Sequence, residues 1–228
     1  MSERLPPPVA ARVRATVPRP DELAVLPAGT LVVRVHSLGG PHPSAWDAMR
    51  DWGPTKSRFD HHPPPPRAQR RAIAYLAWGT DAFTTALAEY FQDDSGAGVG
   101  PFDLVTSHPA ITLLELATEV VLLDLSGPWT TRAGGNQAVG NGRRWRSRQW
   151  ARAVYAAFGN PGTAHAAEGL AYRSSVWGPG HCAALWQTAR SAFPPAPLAT
   201  RLLDDPGARP ALAKAAEKLG SYIASPVP

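Results

Sequence analysis

Residues 72–92 read AIAYLAWGTDAFTTALAEYFQ, and this stretch decides the architecture. AIAYLAW at 72–78 reads as a strand, Gly79 breaks the chain, and Thr80 opens a helix as its N-cap with Asp81 in the first turn. The helix is expected to run to about Gln92, with Phe83, Leu87, Tyr90 and Phe91 as its apolar stripe. Glu89 falls off that stripe. It lines up instead with Ala82, Thr85 and Ala86, so its carboxylate stands on a face of small side chains that leaves room for a ligand.

Upstream, TLVVRVHS at 30–37 alternates as a strand does, with Leu31, Val33 and Val35 on one face and Val32, Arg34 and His36 on the other. Between 38 and 70 the chain is rich in Gly, Pro, Trp and charge and ends in RFDHHPPPP, which continues neither strand nor helix. A long loop is expected there, ordered by Trp46, Trp52 and Phe59 and of the length that often carries function. Residues 1–27 are proline-rich and aperiodic, which predicts an extended arm outside the fold.

Downstream, DDSGAGVGP is a loop, and ITLLEL and EVVLLDL are two buried strands of an antiparallel sheet. A Gly-, Asn- and Arg-rich loop fills 132–146, after which Ser147 caps a helix with Trp150, Val154, Ala157 and Phe158 inward. Gly159, Asn160 and Pro161 end it. GLAYRSS at 169–175 and HCAALW at 181–186 are short strands. After a Pro-rich linker from 191, PALAKAAEKLGSYIA is an amphipathic helix packed on the domain by Leu212, Ala216, Leu219 and Ile223. The expectation is one α+β domain.

The chain has 228 residues, 44% of them hydrophobic, enough for a sizeable core. Its single Cys182 excludes an internal disulfide, and its apolar runs are too short to span a bilayer or act as a secretory signal. A cytoplasmic setting without membrane contact is expected. Net charge is +5, carried by 20 Arg and 3 Lys. The accompanying wealth of Ala, Gly and Pro explains this as composition rather than as a nucleic-acid surface. RRWRSRQW at 143–150 mixes Arg and Trp as a nucleic-acid site would, yet leads into a helix and reads as a solvated basic turn.

Familiar phosphate-loop, dinucleotide-fold, zinc-protease and serine-hydrolase motifs are missing from the sequence. GGNQAVGNG has the glycines of a phosphate loop without its Lys and Ser or Thr. His61 and His62 beside Asp60 point in different directions, so no metal site is expected. His181 and Cys182 fall on opposite faces of a strand, which leaves Cys182 a structural thiol.

Arg34, Glu89 and Ser174 remain as polar residues in apolar or small-residue settings. Together with RFD at 58–60, AYLA at 74–77, LDL at 123–125 and Gly-x-x-Tyr-x-Ser at 169–174, their order resembles the RES domain family, named for its Arg, Glu and Ser. The match covers roughly residues 28–190; the glycine that usually precedes the RF pair is Ser57 here. The resemblance implies an ADP-ribosyltransferase-like fold of two small, mostly antiparallel sheets with flanking helices and a cleft between them. It also implies an NAD-degrading toxin of a toxin–antitoxin pair, partnered by a helix-turn-helix antitoxin, with NAD as substrate and no cofactor.

On that resemblance Arg34 clamps the phosphates, with Arg58 as a second contact or else ion-paired to Asp60 or another loop carboxylate. Glu89 stabilises the oxocarbenium formed as the nicotinamide–ribose bond breaks. Tyr75 lies against the nicotinamide, and Ser174, beside Ser175, holds Arg34 or Glu89. Water or inorganic phosphate is the acceptor, and a homo-oligomer is compatible. The alternatives are an ADP-ribosyltransferase of the same fold and a non-enzymatic nucleic-acid-binding module.

Overall fold

A computed structural model describes residues 5–93, 98–160, 162 and 165–224. The loop expected at 93–101 therefore lies partly outside the described residues, as do Pro161 and both chain ends. The protein is α+β, built on a mixed sheet. Nine strands form it among the described residues: β1 (Leu23–Leu26), β2 (Leu31–Ser37), β3 (Arg50–Gly53), β4 (Arg67–Trp78), β5 (Pro109–Glu115), β6 (Val120–Asp124), β7 (Gly169–Arg173), β8 (His181–Trp186) and β9 (Ala199–Leu202). The order is β1-β6-β7-β8-β4-β2-β5-β9, with β3 also on β4. Every ladder is antiparallel except β6–β7.

The hydrogen-bonded path is thus continuous, where two separate sheets were expected. The reason is the length of β4. Its 12 residues pair with β3 at one end, with β8 along Ile73–Trp78, and with β2 at only two positions, Val32 with Trp78 and Val33 with Ala77. Beyond those two pairs β2 parts from β4 while staying paired with β5 along its whole length. Two blocks of strands therefore meet at a two-residue seam.

Six α-helices are found among the described residues: α1 (Ala10–Ala15), α2 (Ala82–Tyr90), α3 (Trp129–Arg132), α4 (Ala138–Asn141), α5 (Arg144–Phe158) and α6 (Arg209–Lys218). α5 lays Trp150, Ala151, Val154 and Phe158 against Ile73, Leu170, Ala184 and Trp186. The opposite face buries Ala72, Ala74 and Leu76 with Leu114, Leu122 and Leu185. Such alternation along β4 follows from the two-residue period of a strand. α2 packs on β2 and β4 through Ala82 and Ala86 against Val33 and Ala77. Gly79, at φ +86°, makes the turn from β4 into α2, a backbone conformation that a side chain would strain.

Several expected boundaries shift. α2 begins after Asp81 as N-cap rather than Thr80, and the Asp81 carboxylate goes to Lys218 and Trp177 instead of capping the helix. α5 begins at Arg144, and Ser147 lies buried within it, donating to the Val139 carbonyl. Ser174 and Ser175 lie in a turn after β7, not in the strand. α6 stops at Lys218 before Gly220, although Leu219 and Ile223 still pack inward. The expected loop at 38–70 contains β3 and the start of β4, and the segment from 191 contains β9.

The largest correction concerns the N-terminal arm. It carries α1 and β1, pairs with β6, and buries Leu5 and Val13 in the core under α5. Its carbonyls also satisfy two core tryptophans: Trp150 Nε1 donates to Pro6 at 2.9 Å and Trp129 Nε1 to Thr16 at 2.8 Å. Proline content concealed this, since isolated apolar residues between prolines show no period. Deleting residues 1–16 strips both indole bonds and the Val13 contact. At about 1–3 kcal/mol for each polar group left unpaired, urea denaturation is expected to show a loss of at least about 3 kcal/mol.

Candidate functional site

Where β2 and β4 part, a cavity of about 330 Å³ opens. One wall is Val33, Arg34 and Val35 of β2, the facing wall is Tyr75, Leu76 and Ala77 of β4, and α2 adds Ala86, Glu89 and Tyr90. The volume lies in the range of small-molecule sites, about 300–1,000 Å³. The split itself makes the cavity, because strands that stop pairing leave a gap as wide as the missing ladder.

Glu89 is half-buried on this cavity, and its neighbours are set by the turn after β7. Ser174 Oγ donates to Glu89 Oε1 at 2.7 Å, and the Ser175 N–H donates to the same carboxylate. Ser174 Oγ is fixed in turn by the N–H groups of Val176 and Trp177, at 3.3 and 3.0 Å. Ser175 Oγ accepts from Gln92 at 2.8 Å. Each of the adjacent serines thus has a separate task. The turn comes this close to α2 because Gly180 lies where a Cβ would stand 2.5 Å from Thr85 Oγ1.

The same turn is tied at its far end. Trp177 Nε1 donates to Asp81 Oδ2 at 2.9 Å, and Lys218 of α6 donates to both Asp81 oxygens at 2.8 Å. Asp81 and Glu89 are the two ends of α2, so the turn is fastened to both.

Burial pushes the Glu89 carboxyl above its ordinary range, while the Ser174 hydroxyl, the Arg58 charge, the Ser175 N–H and the Arg144 charge pull it part of the way back. The cavity's cations are Arg34, Lys56, Arg58 and Arg144, and Glu89 is its sole carboxylate among the described residues.

Arg34 is 8% exposed, donates from Nη1 to the Trp46 carbonyl at 2.8 Å, and forms no ion pair among the described residues. Burial pushes its pKa down to about 10, against a smaller upward pull from Asp47. An arginine so placed has given up hydration without gaining a carboxylate, an arrangement that an anionic ligand relieves. Strand alternation puts Arg34 on the face of β2 away from Val33, which packs on α2, and it borders the same cavity as Glu89.

Arg58 is buried as well, and donates to the Gly142 carbonyl. Burial lowers its pKa; Glu89 raises it and Arg144 lowers it further. Arg58 does not pair with Asp60. RFD divides its work: Arg58 lines the cavity, Phe59 packs in the core 4.4 Å from the Tyr172 ring, and Asp60 anchors the loop. Asp60 accepts from Arg50 at 2.9 Å, from the Thr55 N–H at 2.7 Å and hydroxyl at 2.9 Å, and from His62 Nδ1 at 2.6 Å. This ring of donors holds Lys56, Ser57 and Arg58 on the cavity.

Burial alone would raise the Asp60 carboxyl, but His62, Arg50 and Thr55 outweigh it and hold it well below the usual range. A depressed carboxyl stabilises the fold above its unfolded pKa, about 3.9, and that contribution is lost as pH falls through the folded value. Asp60→Asn is expected to cost about 3–5 kcal/mol at pH 7. The loss in urea denaturation should shrink progressively below pH 4.

His61, whose metal-binding partner would be His62, is instead stacked between His62 and Tyr155, with burial pushing its pKa down to about 3. Cys182 is free and buried. Among the described residues no three His, Cys, Asp or Glu side chains converge as metal ligands. No helix among the described residues is long and apolar enough to cross a membrane.

No family model, curated protein or solved structure matches this chain. Of the sequence candidates, Arg34, Arg58, Tyr75 and Glu89 line the cavity, and Ser174 supports it from behind Glu89. The Tyr75 hydroxyl is buried without a hydrogen bond among the described residues; burial raises its pKa, and the Arg50 charge and then the Ser57 side chain lower it in part. Arg144, Lys56, Ser57, Tyr90, Gln92 and Tyr172 also line it, and none of them was given a site role from sequence. Arg144 stood among four arginines in eight residues, and only the start of α5 distinguishes it.

Proposed function

We propose that the protein cleaves the N-glycosidic bond between nicotinamide and ribose in NAD. The observation that carries this reading is the pairing of one half-buried carboxylate with a set of cations in a single cavity. Most glycoside hydrolysis uses two carboxyl groups, because an alkoxide leaving group must be protonated. Nicotinamide needs no such acid. It is a pyridinium in the substrate, takes the bonding pair of the C1′–N bond and departs neutral, so one carboxylate facing the sugar suffices.

Glu89 meets the positive charge that develops on the ribose and accepts a hydrogen bond from a ribose hydroxyl. Ser174 and the Ser175 N–H hold it at one angle. Arg58, Arg144 and Lys56 beside it, together with Arg34, bind the pyrophosphate; guanidinium forks match its oxygen pairs. Tyr75 supplies a flat face for the nicotinamide. The ribosyl cation is captured by water, which loses a proton and leaves ADP-ribose, or by inorganic phosphate, which leaves ADP-ribose 1″-phosphate. The RES resemblance supports the same reading and gives the protein the role of a toxin held in check by a protein antitoxin. The fold that the resemblance implies would also allow ADP-ribosyl transfer, which is the second reading.

Incubating purified protein with NAD, with and without phosphate, and separating the products by chromatography and mass spectrometry tests the reaction. Free nicotinamide with ADP-ribose marks hydrolysis, a product dependent on phosphate marks phosphorolysis, and mass added to protein marks transfer. Intact NAD under all conditions sinks the proposal.

A further inference from the structure

Beside the cleft lies a second cavity of about 350 Å³, bordered by Gln137, Asn141, Tyr172, Arg173, Ser174 and Ser175. Tyr172 lines both cavities, and the turn that holds Glu89 is a wall of the second. Arg58 of the cleft donates to the carbonyl of Gly142, the residue after Asn141. The two spaces therefore adjoin along a thin partition.

Their chemistry is complementary. The cleft concentrates four cations, whereas the second cavity is neutral apart from Arg173, which is turned to the Pro179 carbonyl and the His181 ring. The Gln137 and Asn141 carboxamides form no hydrogen bond among the described residues, and each presents a donor beside an acceptor. Carboxamides of this kind pair bidentately with the edge of an adenine. The cleft, moreover, is at the small end of ligand sites. Nicotinamide, its ribose and the phosphates fill it, and the rest of a dinucleotide must lie outside.

We propose that the second cavity receives the non-reacting purine nucleoside of the dinucleotide, with Gln137 and Asn141 reading the base. This rests on the NAD reading and adds the part of the site that distinguishes a dinucleotide from a mononucleotide. The phosphates cross the partition at Arg58 and Arg144, and the adenosine drops behind Ser174.

The test compares NAD with nicotinamide mononucleotide, which has the same scissile bond and no adenosine. Gln137→Ala with Asn141→Ala, both exposed positions, should raise KM for NAD about tenfold or more. kcat and the KM for the mononucleotide should stay within about twofold of wild type. An equal rise for both substrates, or no rise for NAD, overturns the proposal. Calorimetric titration of ADP-ribose keeps this separate from the fate of the cleavage reading. Binding by wild type that weakens about tenfold in the double variant supports the subsite even without turnover, and absent or unchanged binding overturns it.

Discussion

Glu89→Gln is expected to abolish nicotinamide release, lowering kcat by about 10³-fold or more while leaving KM within a few-fold of wild type. The substitution keeps the shape, and the amide oxygen still accepts from Ser174. What it removes is the charge that opposes the developing cation. The fold should not suffer. Burial raises the Glu89 pKa, so the ionised side chain costs stability, and that cost appears as pH rises through the folded value. The melting temperature of Glu89→Gln at neutral pH should therefore equal or exceed that of wild type, as is common where a strained functional group is neutralised. The wild-type kcat should rise with pH through a midpoint above about 4.3, the ordinary glutamate value, because the ionised form is the active one. A variant that is inactive because it is unfolded would fail the melting measurement, and a structural Glu89 would leave the pH profile unmoved.

Arg34→Met separates binding from bond cleavage. The charges that act most on Glu89 are those of Arg58 and Arg144, not that of Arg34. Its loss is expected to raise KM for NAD about 10²-fold, since truncating one partner of a buried charge pair costs about 2–5 kcal/mol. kcat should fall much less. Arg34→Lys should recover little of the loss, because an ammonium cannot reproduce the two-pronged contact of a guanidinium. Neither change should destabilise the free protein, as Arg34 gives up hydration there without an ion pair in return. A kcat loss as large as that of Glu89→Gln would mean that Arg34 acts on the reacting centre itself.

The parts of this site that were legible in the sequence are those with local periodicity. The alternation of TLVVRVHS located β2 and put Arg34 on the face away from Val33 and Val35; the break at Gly79 located the start of α2 and the small-residue face around Glu89. Ser174 was legible by its distance from Tyr172, but its tie to Glu89 was not, since that depends on a turn brought near α2 by Gly180.

Arg144, Gln92 and Tyr90 were hidden for a different reason: they enter the cavity only because β2 and β4 part after two residue pairs, and pairing extent leaves no mark on either strand's sequence. β3 and β9 were missed because four-residue strands at sheet edges carry too few alternations to register. The N-terminal segment was misread because prolines flank the apolar residues it buries. In each case local pattern was overruled by packing between segments far apart in the chain.

The claim on which the rest depends is that Glu89, in this cavity, breaks the nicotinamide–ribose bond. Its most direct test is the nicotinamide released per protein molecule from NAD under turnover conditions, wild type beside Glu89→Gln at matched folding. The account predicts many equivalents from wild type and less than one from the variant. Intact NAD in both samples, or equal release from both, would contradict it.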